Sequence, residues 1–138
     1  MDYDPDNIFA KILRDEIPSV RVYEDDHTLA FMDIMPRADG HLLVIPKAAC
    51  RNLLDIGPAP LWAVMATTQR MAYAVMKAFD AGGVTVQQFN EAAGGQEVFH
   101  LHFHVLPRHE GVRLNPPGVM GDMDVIKANA EKIRAILV

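Results

Sequence analysis

Residues 99 to 106 read FHLHFHVL, with His100, His102 and His104 alternating with Leu101, Phe103 and Val105. A strict period of two belongs to an extended strand, whose successive side chains point to opposite faces. The run predicts the longest strand of the chain, with Phe99, Leu101, Phe103 and Val105 on the core face and three imidazoles together on the other. Any fold for this sequence must give that strand one apolar neighbour and one polar, chemically active side.

The segments around it fit such a sheet. Asp6 or Asn7 can cap a short helix in which Ile8, Phe9, Ile12 and Leu13 recur at helical spacing, ending before Pro18. Strand-like runs follow at 20–24, 28–33 and 41–46, separated by the turn-prone EDDH and PRADG. The segment PAPLWAVMATTQRMAYAVMKAFDAGG opens on proline and closes on two glycines, and predicts a long helix with a stripe of Leu61, Met65, Thr68, Ala72, Val75 and Phe79. A strand at 84–90, the glycine loop EAAGGQE, the histidine strand and a terminal helix near 122–137 complete the order. Val125, Ile126, Ile133, Ile136 and Leu137 supply the apolar face of that last helix. Short links favour an α+β domain: about five strands, mostly antiparallel, with two main helices and a short N-terminal one, the helices on one face.

The chain has 138 residues, enough for one domain over 1–138 with a core of its own. The net charge of −5 and the lack of a basic stripe argue against a nucleic-acid backbone as partner. No apolar run is long enough to span a membrane. Cys50 is alone, which together with the absence of an apolar leader predicts a reducing, cytoplasmic setting.

Three histidines in register have three readings. The plainest is a polar strand face. A three-histidine metal site fails on length, since Cα atoms of His100 and His104 stand roughly 13 Å apart along a strand, whereas two nitrogens on one zinc lie within about 4 Å. A mixed site borrowing His41 or His109 with a carboxylate is the metal arrangement left, and no cofactor or metal is expected in the preferred reading. That reading is nucleophilic catalysis. A neutral imidazole titrates near pH 6.5, attacks phosphorus without activation and leaves again. The central His102 is the natural nucleophile, and the upstream Gly94, Gly95 and Gln96 offer main-chain N–H groups and an amide to phosphate oxygens.

HLHFHVL at 100–106 resembles the signature of the histidine triad family, and the resemblance extends to NIFAKILRDEIPSVRVYEDDHTLAFMDIMPRADGHLLVIPK and NEAAGGQEVFHLHFHVLPR. Within it the chain is most similar to nucleoside phosphoramidases and bacterial relatives. The resemblance implies the fold of that family, a homodimer with joined sheets, and hydrolysis of a purine nucleoside 5′-phosphoramidate or related conjugate through a nucleotidyl-histidine. A dinucleoside polyphosphate hydrolase or nucleotidyl transferase, or a nonenzymatic purine-nucleotide- or zinc-binding regulator, is the alternative.

By motif, His102 would be the nucleophile and His104 a donor to phosphate or leaving group. His100 would orient His102, with His41 behind. Asp33 would bind the ribose hydroxyls, and Ile8, Phe9, Ile12, Phe31 and Ile34 would line the base pocket. Asn90, Gly95 and Gln96 would hold the α-phosphate. Glu97 departs from the Ser or Thr of several branches, and a carboxylate there repels a phosphate unless it turns away.

Overall fold

The computed structural model describes residues 1–138. Its elements are α1 (Ile8–Leu13), β1 (Arg21–Glu24), β2 (Thr28–Met32), β3 (Leu42–Pro46), α2 (Pro58–Ala78), β4 (Gly83–Gln87), β5 (Phe103–Arg108) and α3 (Met123–Leu137). The five strands form one sheet in the order β1-β2-β3-β5-β4, every pair antiparallel. This is the α+β architecture expected.

Alternation divides the sheet into two chemical faces. Ala30, Met32, Leu42, Val44, Phe103 and Val105 point to α2 and α3, where Val64, Met71, Val75, Ile126 and Ile133 meet them. Leu29, Phe31, Leu43 and Ile45 point the other way and bury Phe9 and Ile12 of α1. The expectation of helices on one face therefore holds for α2 and α3 only. α1 covers the opposite face because its own apolar pair needs a surface that the longer helices leave open. Asn7 caps it, its Oδ1 accepting from Ala10 N at 2.9 Å.

Helix registers also shift. On α2 the buried positions are Val64, Thr67, Thr68, Met71, Ala74 and Val75, while Met65 of the expected stripe is solvent-facing. On α3, Ile126, Asn129, Ala130 and Ile133 are buried, whereas Val125 and Ile136 are exposed. A buried hydroxyl pair, Thr28 Oγ1 to Thr67 Oγ1 at 2.7 Å, ties β2 to α2.

Two strand boundaries differ as well. β5 begins at Phe103, so His100 and His102 precede the sheet. Its pairing with β3 stops at Val44↔Phe103. Further along β3 stands Pro46, which has no N–H to extend the ladder, and its carbonyl instead receives the His100 ring at 2.8 Å. β4 ends at Gln87 because Gln88 and Asn90 bond to one another through their side-chain amides, at 2.8 and 2.9 Å.

Candidate active site

The chain from Glu91 to His102 turns over the α1 face of the sheet and delivers the histidines there. His104 alone sits on β5, half-buried, opposite Leu43 and Gln87. His100 is fully buried and His102 is 7% exposed.

Each ring is held by partners that fix which nitrogen carries the proton. His102 Nδ1 lies 2.7 Å from the His100 carbonyl. A carbonyl only accepts, so Nδ1 holds the hydrogen and Nε2 keeps a free lone pair. His100 Nε2 likewise donates to the Pro46 carbonyl, and its Nδ1 accepts from the Tyr3 hydroxyl at 2.7 Å. His41 is oriented from the opposite side, its Nδ1 accepting the main-chain N–H of Arg37 at 3.1 Å. Its proton is therefore on Nε2, which donates to His104 Nδ1 at 3.0 Å. That leaves His104 with its hydrogen on Nε2. One free lone pair, on His102, and one free N–H, on His104, stand on neighbouring rings whose centroids are 5.1 Å apart.

Burial keeps these rings neutral. Desolvation pushes His104 down to about 3, with the neighbouring His102 and His41 adding to the effect. It pushes His100 down to about 4 against the favourable Pro46 carbonyl. His102 and His41 are lowered by burial too, opposed at His102 by its bond to the His100 carbonyl and by the Asp33 and Glu97 carboxylates, and at His41 by Asp33.

His41 thus stands behind His104, not behind His100 and His102 as expected. Asp33 completes the group, with Oδ2 at 3.5 Å from His41 Nε2 and Oδ1 accepting from Met35 N. Ligand atoms of Asp33, His41 and His104 all lie within 4.8 Å of one another, a spacing a metal ion could use. The hydrogen-bond polarity opposes it. A ligating histidine donates its second ring N–H to an acceptor, whereas the second nitrogen of His41 receives an N–H, and the atom that would bind metal carries the proton.

The apolar residues expected at a base pocket separate into two sets. Phe9, Ile12 and Phe31 are buried floor, with Phe9 edge-on to Phe31 and to His102 at 5.4 and 4.9 Å between centroids. Ile8 and Ile34 are exposed and free to meet a ligand.

The expected phosphate cradle is built differently. The N–H groups of Gly94, Gly95 and Gln96 close the loop's own turn, donating to Glu91, Ala92 and Glu91 carbonyls. The Gln96 side chain is buried and fully engaged: Oε1 accepts from Glu91 N at 2.7 Å and Asn52 Nδ2 at 3.1 Å, and Nε2 donates to the Arg51 and Val98 carbonyls. Asn90 accepts from Leu53 N and pairs with Gln88. All three shape the loop; Gln96 is buried within it, while Gly95 is exposed and Asn90 half-buried at its surface. The main-chain N–H groups of Glu97, Val98, Phe99 and His100 donate to no protein acceptor, so the free donors lie just beyond the glycines. Sequence reasoning missed these, along with Tyr3, Arg37 and Phe89, whose ring lies 5.8 Å from that of His104. Only the polarity of a folded loop distinguishes a spent N–H from a free one.

A profile of the HIT domain matches residues 14–111. The chain belongs to the HIT family. It is similar over almost its whole length to a Hit-like protein of Bartonella henselae, described as involved in cell-cycle regulation, whose crystal structure superposes with a TM-score of 0.94 at 57% identity, covering 99% of both chains. An uncharacterized HIT-like protein of Borreliella burgdorferi is 43% identical over 105 residues, 75% of this chain and 76% of its own. Adenosine 5′-monophosphoramidase HNT1 of Saccharomyces cerevisiae is 40% identical over 103 residues, 75% of this chain and 63% of its own.

Proposed function

We propose that this HIT protein hydrolyses a purine nucleoside 5′-phosphoramidate or a related nucleotide conjugate through a nucleotidyl-histidine on His102. The observation that carries the reading is the 2.7 Å bond from His102 Nδ1 to the His100 carbonyl. It leaves Nε2 unprotonated and gives the positive charge that develops on the ring during attack an acceptor already in place. Nε2 bonds to the α-phosphorus, and the protonated nitrogen of the substrate departs with the P–N electron pair as a neutral amine. Water then adds its oxygen to phosphorus, the N–P bond returns its pair to Nε2, and the monophosphate leaves with a proton released to solvent. His104 Nε2–H donates to a phosphate oxygen, and the free N–H groups from Glu97 onward supply further donors. Asp33 receives the ribose hydroxyls, and Ile8 and Ile34 close over a base resting on the Phe9 and Phe31 side.

The likeness to the yeast monophosphoramidase supports the substrate class. A homodimer belongs to the same reading. β4 is an unpaired sheet edge with Val86 exposed, and Trp62 and Tyr73 of the adjoining α2 are 74% and 69% exposed. The test is turnover of adenosine phosphoramidate with trapping of an acid-labile adenylyl adduct. Native protein is expected to form adduct and product and His102→Ala neither; native protein that does neither refutes the proposal.

A further inference from the structure

The loop from Ile34 to Gly40 carries the Arg37 N–H that sets His41; its end rests on Phe79 at Gly40. A cleft of about 550 Å³ opens between this loop and residues 115–129. Across that cleft the loop is tied by hydrogen bonds to the irregular segment before α3. Asn115 N donates to the Arg37 carbonyl at 2.7 Å, Arg37 Nε donates back to the Asn115 carbonyl at 3.0 Å, and Asn115 Nδ2 reaches the Pro36 carbonyl at 3.4 Å. Gly121 N donates to Ile34 O at 2.9 Å, and its backbone lies so close that an added Cβ would stand 2.8 Å from the Pro36 ring. Both residues lie beyond the region 14–111 that the HIT profile matches.

We propose that Asn115 is a positioning residue: by clasping Arg37 it holds the Arg37 N–H on His41, and through His41 keeps His104 in the tautomer that presents Nε2–H to the cleft. The chain of donors runs in one direction, Arg37 N–H to His41 Nδ1, His41 Nε2–H to His104 Nδ1. If the first donor moves away, His41 is free to invert its tautomer. His104 can then turn a lone pair toward a phosphate oxygen, where it repels. The catalytic consequence rests on the function proposed above; the tautomer itself does not.

Asn115→Pro removes the clasp's N–H and side-chain amide together, at a position outside every helix and strand. Long-range ¹H–¹⁵N spectra of the histidine side chains, on ligand-free full-length protein near pH 7, read each tautomer directly. Native protein is expected to give the Nε2–H pattern at His104 and the Nδ1–H pattern at His102. In Asn115→Pro the His104 nitrogens average toward one another while His102, held by the His100 carbonyl, is unchanged. Asn115→Asp retains the main-chain clasp and is expected to retain the native His104 pattern. On phosphoramidate, kcat of Asn115→Pro falls about fivefold, the worth of one net hydrogen bond, with KM within about twofold of native. A His104 pattern unchanged in Asn115→Pro overturns the proposal, as does loss of both patterns together, which would mean general loosening. Should circular dichroism show Asn115→Pro unfolded, Arg37→Met, which removes the returning Nε bond, is held to the same criterion. Altered His104 spectra in a protein that turns over no phosphoramidate would sink the enzymatic reading and leave the clasp standing.

Discussion

The buried His100 makes a quantitative demand on stability in mild acid. Its ring is fully inaccessible, with Nε2 given to the Pro46 carbonyl and Nδ1 taken by Tyr3, and burial lowers its pKa from 6.5 to about 4. Between those values the unfolded chain binds a proton that the folded chain refuses, so stability rises with pH there and is lost on acidification. Summed over the two states, the single site costs about 2 kcal/mol between pH 7 and pH 5. His100→Gln removes the titrating group and should flatten the pH dependence by that amount, whatever it costs in stability at pH 7. Urea denaturation of both proteins at the two pH values measures it. Far-ultraviolet circular dichroism is the suitable signal, because Trp62 is 74% exposed in the folded chain and its fluorescence would report little. A native-minus-variant difference under about 0.5 kcal/mol would show that His100 is protonated when folded or solvated, and the tautomer assignment at His102, which rests on the same backbone, would go with it.

Other outcomes follow from single contacts. Gly40, at φ +89°, leads into His41, and a Cβ there would stand 2.4 Å from the Phe79 ring; Gly40→Ala should lower stability by about 3 kcal/mol from backbone strain plus overpacking, read by chemical denaturation. Tyr3→Phe leaves His100 Nδ1 buried without a donor and should cost about 1–2 kcal/mol in the same experiment. Thr28→Val strands the buried Thr67 hydroxyl and should cost about 1–2 kcal/mol, whereas Thr67→Val should cost less because Thr28 Oγ1 keeps the Asp25 carboxylate at 3.2 Å, and the double variant should cost less than their sum; additive losses in the double-mutant cycle would contradict a direct bond between them.

Much of the α+β plan was legible because it is local. Period-two alternation marks strands, the proline opening marks the start of α2, and Asn7 caps α1 where its side-chain oxygen meets a free N–H group. The expected glycine stop is not used, since α2 ends at Ala78 and turns at Phe79 and Asp80, the latter at φ 46°, before the two glycines. The three histidines were legible for the same reason, and so was their proximity to the glycine loop. The registers of α2 and α3 were not, since two stripes one residue apart are nearly equal in apolar content. The choice between them is made by what the sheet presents, as when Thr28 takes Thr67 as partner.

By itself, then, the order of residues determined an antiparallel sheet and a His-rich segment with one apolar side. Tertiary structure alone decided which nitrogens are free. Tyr3 reaches His100 across 97 positions, His41 reaches His104 across 63, and Asn115 grips Arg37 across 78. No local pattern encodes such distances. The polarity of each ring is imposed by the donor or carbonyl that packing brings against it, and burial then keeps the ring neutral enough for that polarity to persist.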